Sequence, residues 1–273
     1  MKRYIRLQNY TMKIAIIGGG NLGSAIAEGL IKSRFCLPSD ITITRRNTAA
    51  LQGLRELGCM VHSDNKKAVS DSQIILLAVK PYNYSEIIGE LKEELRTDTH
   101  VIVSVITGVW IEQLQKAIGK PVPVIRAMPN TAIAIRQSMT CLSLAGVSEH
   151  QQEFVQKLFD QLGRTVVIDE GLMDAATVLG ACGTAFAMRY IRANIQGGIE
   201  IGFDALTASL IAAQTVLGAA DLLLKTGSHP EREIDKVTTP KGCTIAGLNE
   251  MEHQGFSSSL IRGITVSYNK IGK

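Results

Sequence analysis

Paired cysteines, proline-rich tracts and blocks of one charge are all missing from this 273-residue chain, and each absence removes a class of protein. The five cysteines (Cys36, Cys59, Cys141, Cys182, Cys243) are odd in number and never form a CxxC pair, and no HxxxH or HExxH motif accompanies them. A disulfide framework or a metal site is therefore not expected. Basic and acidic residues, 29 against 25, are spread along the chain, so the net charge of +4 leaves no footprint for nucleic acid and favours an anionic small molecule as partner. Seven prolines and 20% charged residues beside 45% hydrophobic ones exclude disordered and fibrous classes. Lys2, Arg3 and Arg6 precede no apolar h-region, so no secretory signal is expected. The longest charge-free stretch of the second half, 205–220, falls short of the roughly 18 apolar residues of a membrane span. Together these features lead to the expectation of a cytoplasmic globular protein without membrane contact.

A chain of this length has room for about two domains. From 12 to 169, short β-branched runs at 13–17, 41–44, 74–79, 101–104 and 122–126 alternate with helical patterns, and runs apolar on both faces imply a parallel sheet covered by helices. Two further strand candidates, 139–144 and 165–168, flank a helix announced by Ser148 and Gln151, a capping box. From 170 to 273 alanine, leucine, glycine and methionine dominate without alternation, which predicts an all-α half. Asp204 and Gly227 bound one helix there, Ser228-His229-Pro230-Glu231 reads as a second capping box, and the last helices are expected over 244–253 and 257–268. The helices of 172–224 carry more apolar surface than about 100 residues can hide, so a subunit partner is expected to cover the remainder.

The chemistry begins where Ile14-Ala15-Ile16-Ile17 runs into Gly18-Gly19-Gly20-Asn21-Leu22-Gly23 and then a helical pattern. Gly18, Gly20 and Gly23 satisfy GxGxxG in strand-turn-helix context: the first permits a tight turn, the second lets backbone approach a pyrophosphate, and the third allows close packing of helix on strand. The expected fold class is therefore α/β, a Rossmann-type, mainly parallel sheet domain over 12–169, followed by an all-α C-terminal dimerisation domain over 170–273. Where an NAD-preferring fold places a carboxylate for the ribose, the second strand ends Thr44-Arg45-Arg46-Asn47. Two guanidinium groups suit a 2′-phosphate, favouring NADPH over NADH; the alternative is a solvated surface pair. Lys80 ends a strand at the carboxyl edge, Thr107 comes just after the next strand and Asn65 starts a short helix; all three are further cofactor or substrate candidates, each with a plain solvated role as its alternative.

In the helical half the distinctive segment is Val237-Thr238-Thr239-Pro240-Lys241-Gly242-Cys243-Thr244-Ile245-Ala246-Gly247-Leu248. Its hydroxyls and backbone amides precede a helix and would suit a carboxylate; they would equally make an ordinary N-cap. The segment resembles the signature of pyrroline-5-carboxylate reductases. Further matches are Gly18 to Gly23, Ala78-Val79-Lys80-Pro81, Arg126-Ala127-Met128-Pro129-Asn130-Thr131, and Ala219-Ala220 with the Ser228-His229-Pro230 turn, covering 12–262.

The resemblance implies reduction of the C=N bond of Δ1-pyrroline-5-carboxylate to L-proline with NADPH or NADH, the last step of proline biosynthesis, without a metal and in a homodimer or ring of dimers. It implies substrate contacts at Glu170, Thr239, Gly242, Cys243 and Thr244, the Thr244 hydroxyl lying near the ring nitrogen as the catalytic group. Cofactor contacts are implied at Gly18, Gly20, Asn21, Leu22, Arg45, Asn65, Val79, Lys80 and Thr107, with Arg46 added by the charge argument. Three positions depart from the family: Lys241 stands for the first of two glycines, and Thr184 and Ala132 stand for prolines. Lys241 either adds a cation beside the carboxylate or is a solvated loop lysine. The alternatives are a β-hydroxyacid dehydrogenase-like enzyme, whose acid/base lysine is missing from a stretch that offers Arg189 and Arg192, and a non-catalytic dinucleotide-sensing protein.

Overall fold

A computed structural model describes residues 12–271, so the expectation about the first 11 residues lies outside the described ones. The strands are β1 Ile14–Ile17, β2 Ile41–Thr44, β3 Met60–His62, β4 Ile74–Leu77, β5 Val101–Ser104, β6 Val124–Met128, β7 Ser138–Ala145 and β8 Gly163–Val167. They form one sheet in the order β3-β2-β1-β4-β5-β6-β7-β8. The first six in that order run parallel, β7 is antiparallel to β6, and β8 is parallel to β7. Alternate side chains of each central strand enter opposite faces. On one face Ile14, Ile16, Leu76 and Val103 pack with residues of helices α1 (Asn21–Ser33) and α6 (Glu149–Asp160). On the other, Ala15, Ile17, Leu77 and Ile102 pack with α3 (Asn65–Ser70), α4 (Tyr84–Leu91) and α5 (Ile111–Ile118). Burial on both faces is why these strands are unbroken runs of Ile, Leu and Val.

Three details differ from the expectation. The edge strand β3 was not foreseen, because its three residues are partly exposed, with Met60 open to solvent, and carry no apolar run. Strand β4 ends at Leu77, since the chain turns after Ala78 toward Lys80-Pro81. Strand β6 starts at Val124, past Pro121 and Pro123, which lack the N–H a ladder needs.

The chain divides into two compact units at Cys182/Gly183. The composition changes earlier, near 170, but 170–182 belongs to the sheet unit because Met173 is fully buried against Met128 and Cys141. This stretch contains the short helix α7 (Met173–Ala176) and a π-helical turn, Thr177–Cys182. The second unit is all helix: α8 Gly183–Glu200, α9 Ala205–Thr226, α10 Pro230–Lys236, α11 Cys243–His253 and α12 Phe256–Tyr268. Asp204 caps α9 through the Leu206 and Thr207 amides, and Gly227 ends it at φ 65°. The expected Ser228–Glu231 capping box does not form. Pro230, with its fixed φ, takes the first helical position, so His229 is the cap and its Nδ1 accepts from the Glu231 amide.

The span argument also needs correction. Helix α9 continues past Asp221 to Thr226, 22 residues in all, and it and the helical run Glu170–Glu200 are long and apolar enough to cross a membrane by length and composition alone. Much of that apolar surface is exposed: Leu206 at 85%, Leu210 at 70% and Met188 at 62%.

Candidate functional site

Parallel pairing brings the carboxyl ends of β1 through β5 to one edge of the sheet, and every cofactor candidate lies there. Gly18 follows β1, Arg45 and Arg46 follow β2, Asn65 opens α3 after β3, Val79 and Lys80 follow β4, and Thr107 follows β5. The glycine loop is sterically dictated. Gly18 has φ +110°, and a Cβ there would stand 2.5 Å from the Ala78 carbonyl oxygen; at Gly23 it would stand 2.2 Å from that of Gly18. At Gly20 nothing lies within 4 Å of a Cβ position. That open face precedes Asn21, the first residue of α1, whose N-terminus has no side-chain cap. Leu22 is half-buried and packs against the core.

Arg45 and Arg46 have different surroundings, although both are exposed. The Arg45 Nη1 donates to the Gly19 carbonyl at 3.0 Å, and the Gly19 amide donates to Thr44 O at 2.6 Å. Arg45, expected as a 2′-phosphate contact, thus also braces the glycine loop. The Asn65 amide nitrogen donates to Glu90 Oε2 at 3.1 Å. Lys80 is exposed, and Thr107 sits at an exposed loop tip beside Gly108, whose φ is +74°.

Glu170 occupies a more constrained position than a substrate contact requires. Its Oε1 accepts from the Ile111 amide at 2.7 Å and from Arg126 Nη1 at 3.3 Å. Arg126 is fully buried on β6, 3.7 Å from Asp174 through Nη2, with its guanidinium 5.4 Å from the centroid of the Trp110 ring. In the sequence Arg126 belongs to the 126–131 motif, and no role attaches to it there. Its signal is an arginine within an otherwise apolar run, a charge that must be paired if buried.

In the second unit, Gly242 is the N-cap of α11 and offers no side-chain oxygen, so the first amides of that 11-residue helix are free of a side-chain cap. Thr244 lies inside the helix and is not its cap. A Cβ on Gly242 would stand 2.5 Å from Thr239 Oγ1, a crowding that favours glycine there, and the Gly242 amide donates to Thr239 O. Lys241 has φ 62°, the left-handed conformation that glycine adopts without strain. Cys243 and Thr239 are exposed and Thr244 half-buried. Thr238 turns its hydroxyl back to the Ile234 carbonyl.

The cysteines are free thiols. Burial, with Asp40 and Cys59 nearby, pushes Cys36 up to about 12, and burial pushes Cys59 up to about 11 and raises Cys141. Such thiols are poor nucleophiles. Among the described residues no cluster of His, Cys, Asp and Glu could hold a metal ion.

Comparison with known proteins bears on both units. Residues 170–273 match the family model described as pyrroline-5-carboxylate reductase dimerisation, and 13–108 match the one described as NADP oxidoreductase coenzyme F420-dependent. Pyrroline-5-carboxylate reductase 1 of Dictyostelium discoideum is 46% identical over 275 residues, an alignment covering 96% of this chain and 49% of that protein. The chain thus spans about half the length of that relative. Reductase 2 of the same organism is 42% identical, with 95% of this chain and 92% of that protein covered. Among solved structures, a pyrroline-5-carboxylate reductase from Coxiella burnetii superposes with a TM-score of 0.91 at 28% identity, covering 96% of this chain and 98% of its own.

Proposed function

Because this chain belongs to the pyrroline-5-carboxylate reductase family, we propose that it reduces the C=N bond of Δ1-pyrroline-5-carboxylate to L-proline with NADPH, the last step of proline biosynthesis. The observation that carries this reading is the similarity to relatives bearing that name across both units, sheet and helices alike.

The residues present fit a dinucleotide. The open face at Gly20 and the uncapped start of α1 suit a pyrophosphate, because amides at a helix N-terminus and its dipole both favour an anion. Arg46 is the candidate for the 2′-phosphate, and Arg45, braced on Gly19, holds the loop while presenting its remaining donors to the same anion. Asn65, Val79, Lys80 and Thr107 line the same edge. When bound, the cofactor supplies the hydride that the imine carbon accepts.

On the substrate side the uncapped first turn of α11 suits the carboxylate, with Thr239, Gly242 and Cys243 around it. The Thr244 hydroxyl is the candidate hydrogen-bond partner of the ring nitrogen. A protonated imine needs orientation and electrostatic support more than a strong acid, so the chemistry asks of this chain chiefly that it hold two molecules in register. Glu170 is committed to Arg126 and to the Ile111 amide at the start of α5.

The apolar surface of α8 and α9, matched to a family model described as dimerisation, supports a homodimer and, by resemblance, a ring of dimers. The reaction is tested by following NADPH oxidation with and without pyrroline-5-carboxylate. Substrate-dependent oxidation that yields proline is expected. Binding of NADPH without turnover would leave the dinucleotide-sensing alternative, and NADP+ reduction on addition of a 3-hydroxyacid, in a parallel assay, would favour the dehydrogenase one.

A further inference from the structure

The loop joining β5 to α5 carries Thr107 at its tip and has two anchors. At its start the Val105 amide donates to Leu77 O, and the Ile106 amide donates to Ser104 Oγ. At its end, Trp110 and Ile111 meet a single buried cation: Arg126 faces the Trp110 ring directly and reaches the Ile111 amide through the shared Glu170 oxygen. Val109 is buried, so Thr107 and Gly108 form an exposed tip between fixed ends.

The choice of arginine is costly for a purely structural role. Its side chain is fully buried, Nε and Nη2 have no hydrogen-bond acceptor, and Asp174 stands beyond hydrogen-bond range at 3.7 Å. A well-packed apolar residue commonly serves stability as well as or better than such a charge. Directionality is what the guanidinium adds, since a planar ring contact and a charged hydrogen bond fix an orientation that methylene packing leaves free.

We propose that Arg126 is a positioning residue for the cofactor loop 105–110: through Trp110 and, by way of Glu170, the Ile111 amide, it sets where Thr107 stands at the sheet edge. This rests on the reading of that edge as an NADPH site. It also assigns Glu170 a place in the loop's scaffold, in contrast to the substrate contact implied by resemblance.

Trp110 is the chain's single tryptophan, so its fluorescence reports this anchor alone. The test compares the full-length parent with Arg126→Met/Glu170→Leu and with Glu170→Gln, measuring thermal midpoint, nucleotide-free Trp110 emission, and NADPH Kd from Trp110 quenching. The double variant removes both charges and is expected to unfold within about 3 °C of the parent. Its Trp110 emission is expected to shift to the red and its NADPH Kd to rise about tenfold, as a misplaced loop demands. A stable double variant that binds NADPH within about twofold of the parent overturns the proposal. If the double variant does not fold, Glu170→Gln decides, because its amide oxygen still accepts from Ile111 while the charge facing Arg126 is gone. A Kd raised about threefold or more supports the proposal, and an unchanged one refutes it. Should the parent itself show no NADPH quenching, the cofactor reading fails instead, and the emission of nucleotide-free Glu170→Gln judges the anchor: red-shifted in support, unchanged against.

Discussion

Arg45 and Arg46 are adjacent in sequence but should separate in a binding experiment. Loss of the Arg45 bond to Gly19 loosens a loop that any dinucleotide would use, so Arg45→Ala should weaken NADH as well as NADPH. Arg46→Ala should raise the KM for NADPH about tenfold and leave NADH nearly unchanged, one charge-assisted contact being worth about 1.4 kcal/mol. Steady-state kinetics with both cofactors checks this, and equal effects of the two substitutions would remove the assignment. At Lys241 the strain is local: a non-glycine residue at φ 62° costs about 1 kcal/mol, so Lys241→Gly should raise the unfolding free energy by up to that amount in denaturant titrations. Thr244→Ala should leave stability within about 0.5 kcal/mol, because Gly242 is the cap and a surface-type substitution inside a helix is nearly neutral. A kcat/KM reduced more than about tenfold would then report lost contact with the substrate and not an unravelled helix. Full retention of kcat/KM would dismiss Thr244 from the site.

At the scale of elements, the β1–α1 junction depends on two glycines for separate reasons. Gly18 needs its positive φ and the closeness of Ala78, whereas Gly23 needs only the absence of a side chain where α1 crosses the Gly18 carbonyl. Gly23→Ala should therefore destabilise the sheet unit by about 1–3 kcal/mol through overpacking, and weaken dinucleotide binding as α1 is pushed from its strand. Calorimetry with and without NADPH measures both; an unchanged midpoint with unchanged affinity would contradict the packing argument. The start of α6 behaves as an isolated device. The Ser148 and Gln151 side chains exchange bonds with each other's backbone amides, and the expected capping box formed because nothing tertiary competes for an exposed helix end. At α10 the same local logic misplaced the cap by one residue, since Pro230 outranked the hydroxyl in choosing the first helical position.

For the whole molecule, pH and association are the informative variables. His100, buried just before β5, accepts the Arg96 amide at Nδ1; burial and the Arg96 charge lower its pKa from the ordinary 6.5, against smaller opposing pulls from Asp98 and the Ser72 backbone. Above pH 6.5 it is neutral folded or unfolded and stability is intact. As pH falls below that value the unfolded chain takes the proton more readily, so stability declines toward the lower folded pKa. Unfolding free energies measured from pH 7.5 down to pH 5 should show this slope, and His100→Gln should flatten it; an identical slope in the variant would acquit His100. Association is the expectation raised by exposure: Leu206, Leu210 and Leu217 on α9 are open to solvent, as side chains that a second copy covers would be. Light scattering at micromolar concentration should report a dimer or larger, and an active monomer would contradict that assignment of the surface.

What the sequence by itself determined was whatever depends on neighbours along the chain. Strands β1, β2 and β5, the glycine loop and the Ser148 and Asp204 caps were legible because periodicity, φ preference and side-chain reach act over a few residues. Strand β3 was not, since its pairing with β2 supplies a stability that its own three residues do not advertise. The bracing of Gly19 by Arg45 spans 26 residues, and the Arg126–Glu170 pair spans 44. Only the folded sheet could bring these together, because a buried charge chooses its partner from whatever the tertiary structure sets beside it, and that choice has no local signature. The division at Cys182 has the same origin: composition changes at 170, but the burial of Met173 against β6 and β7 keeps the next residues with the sheet.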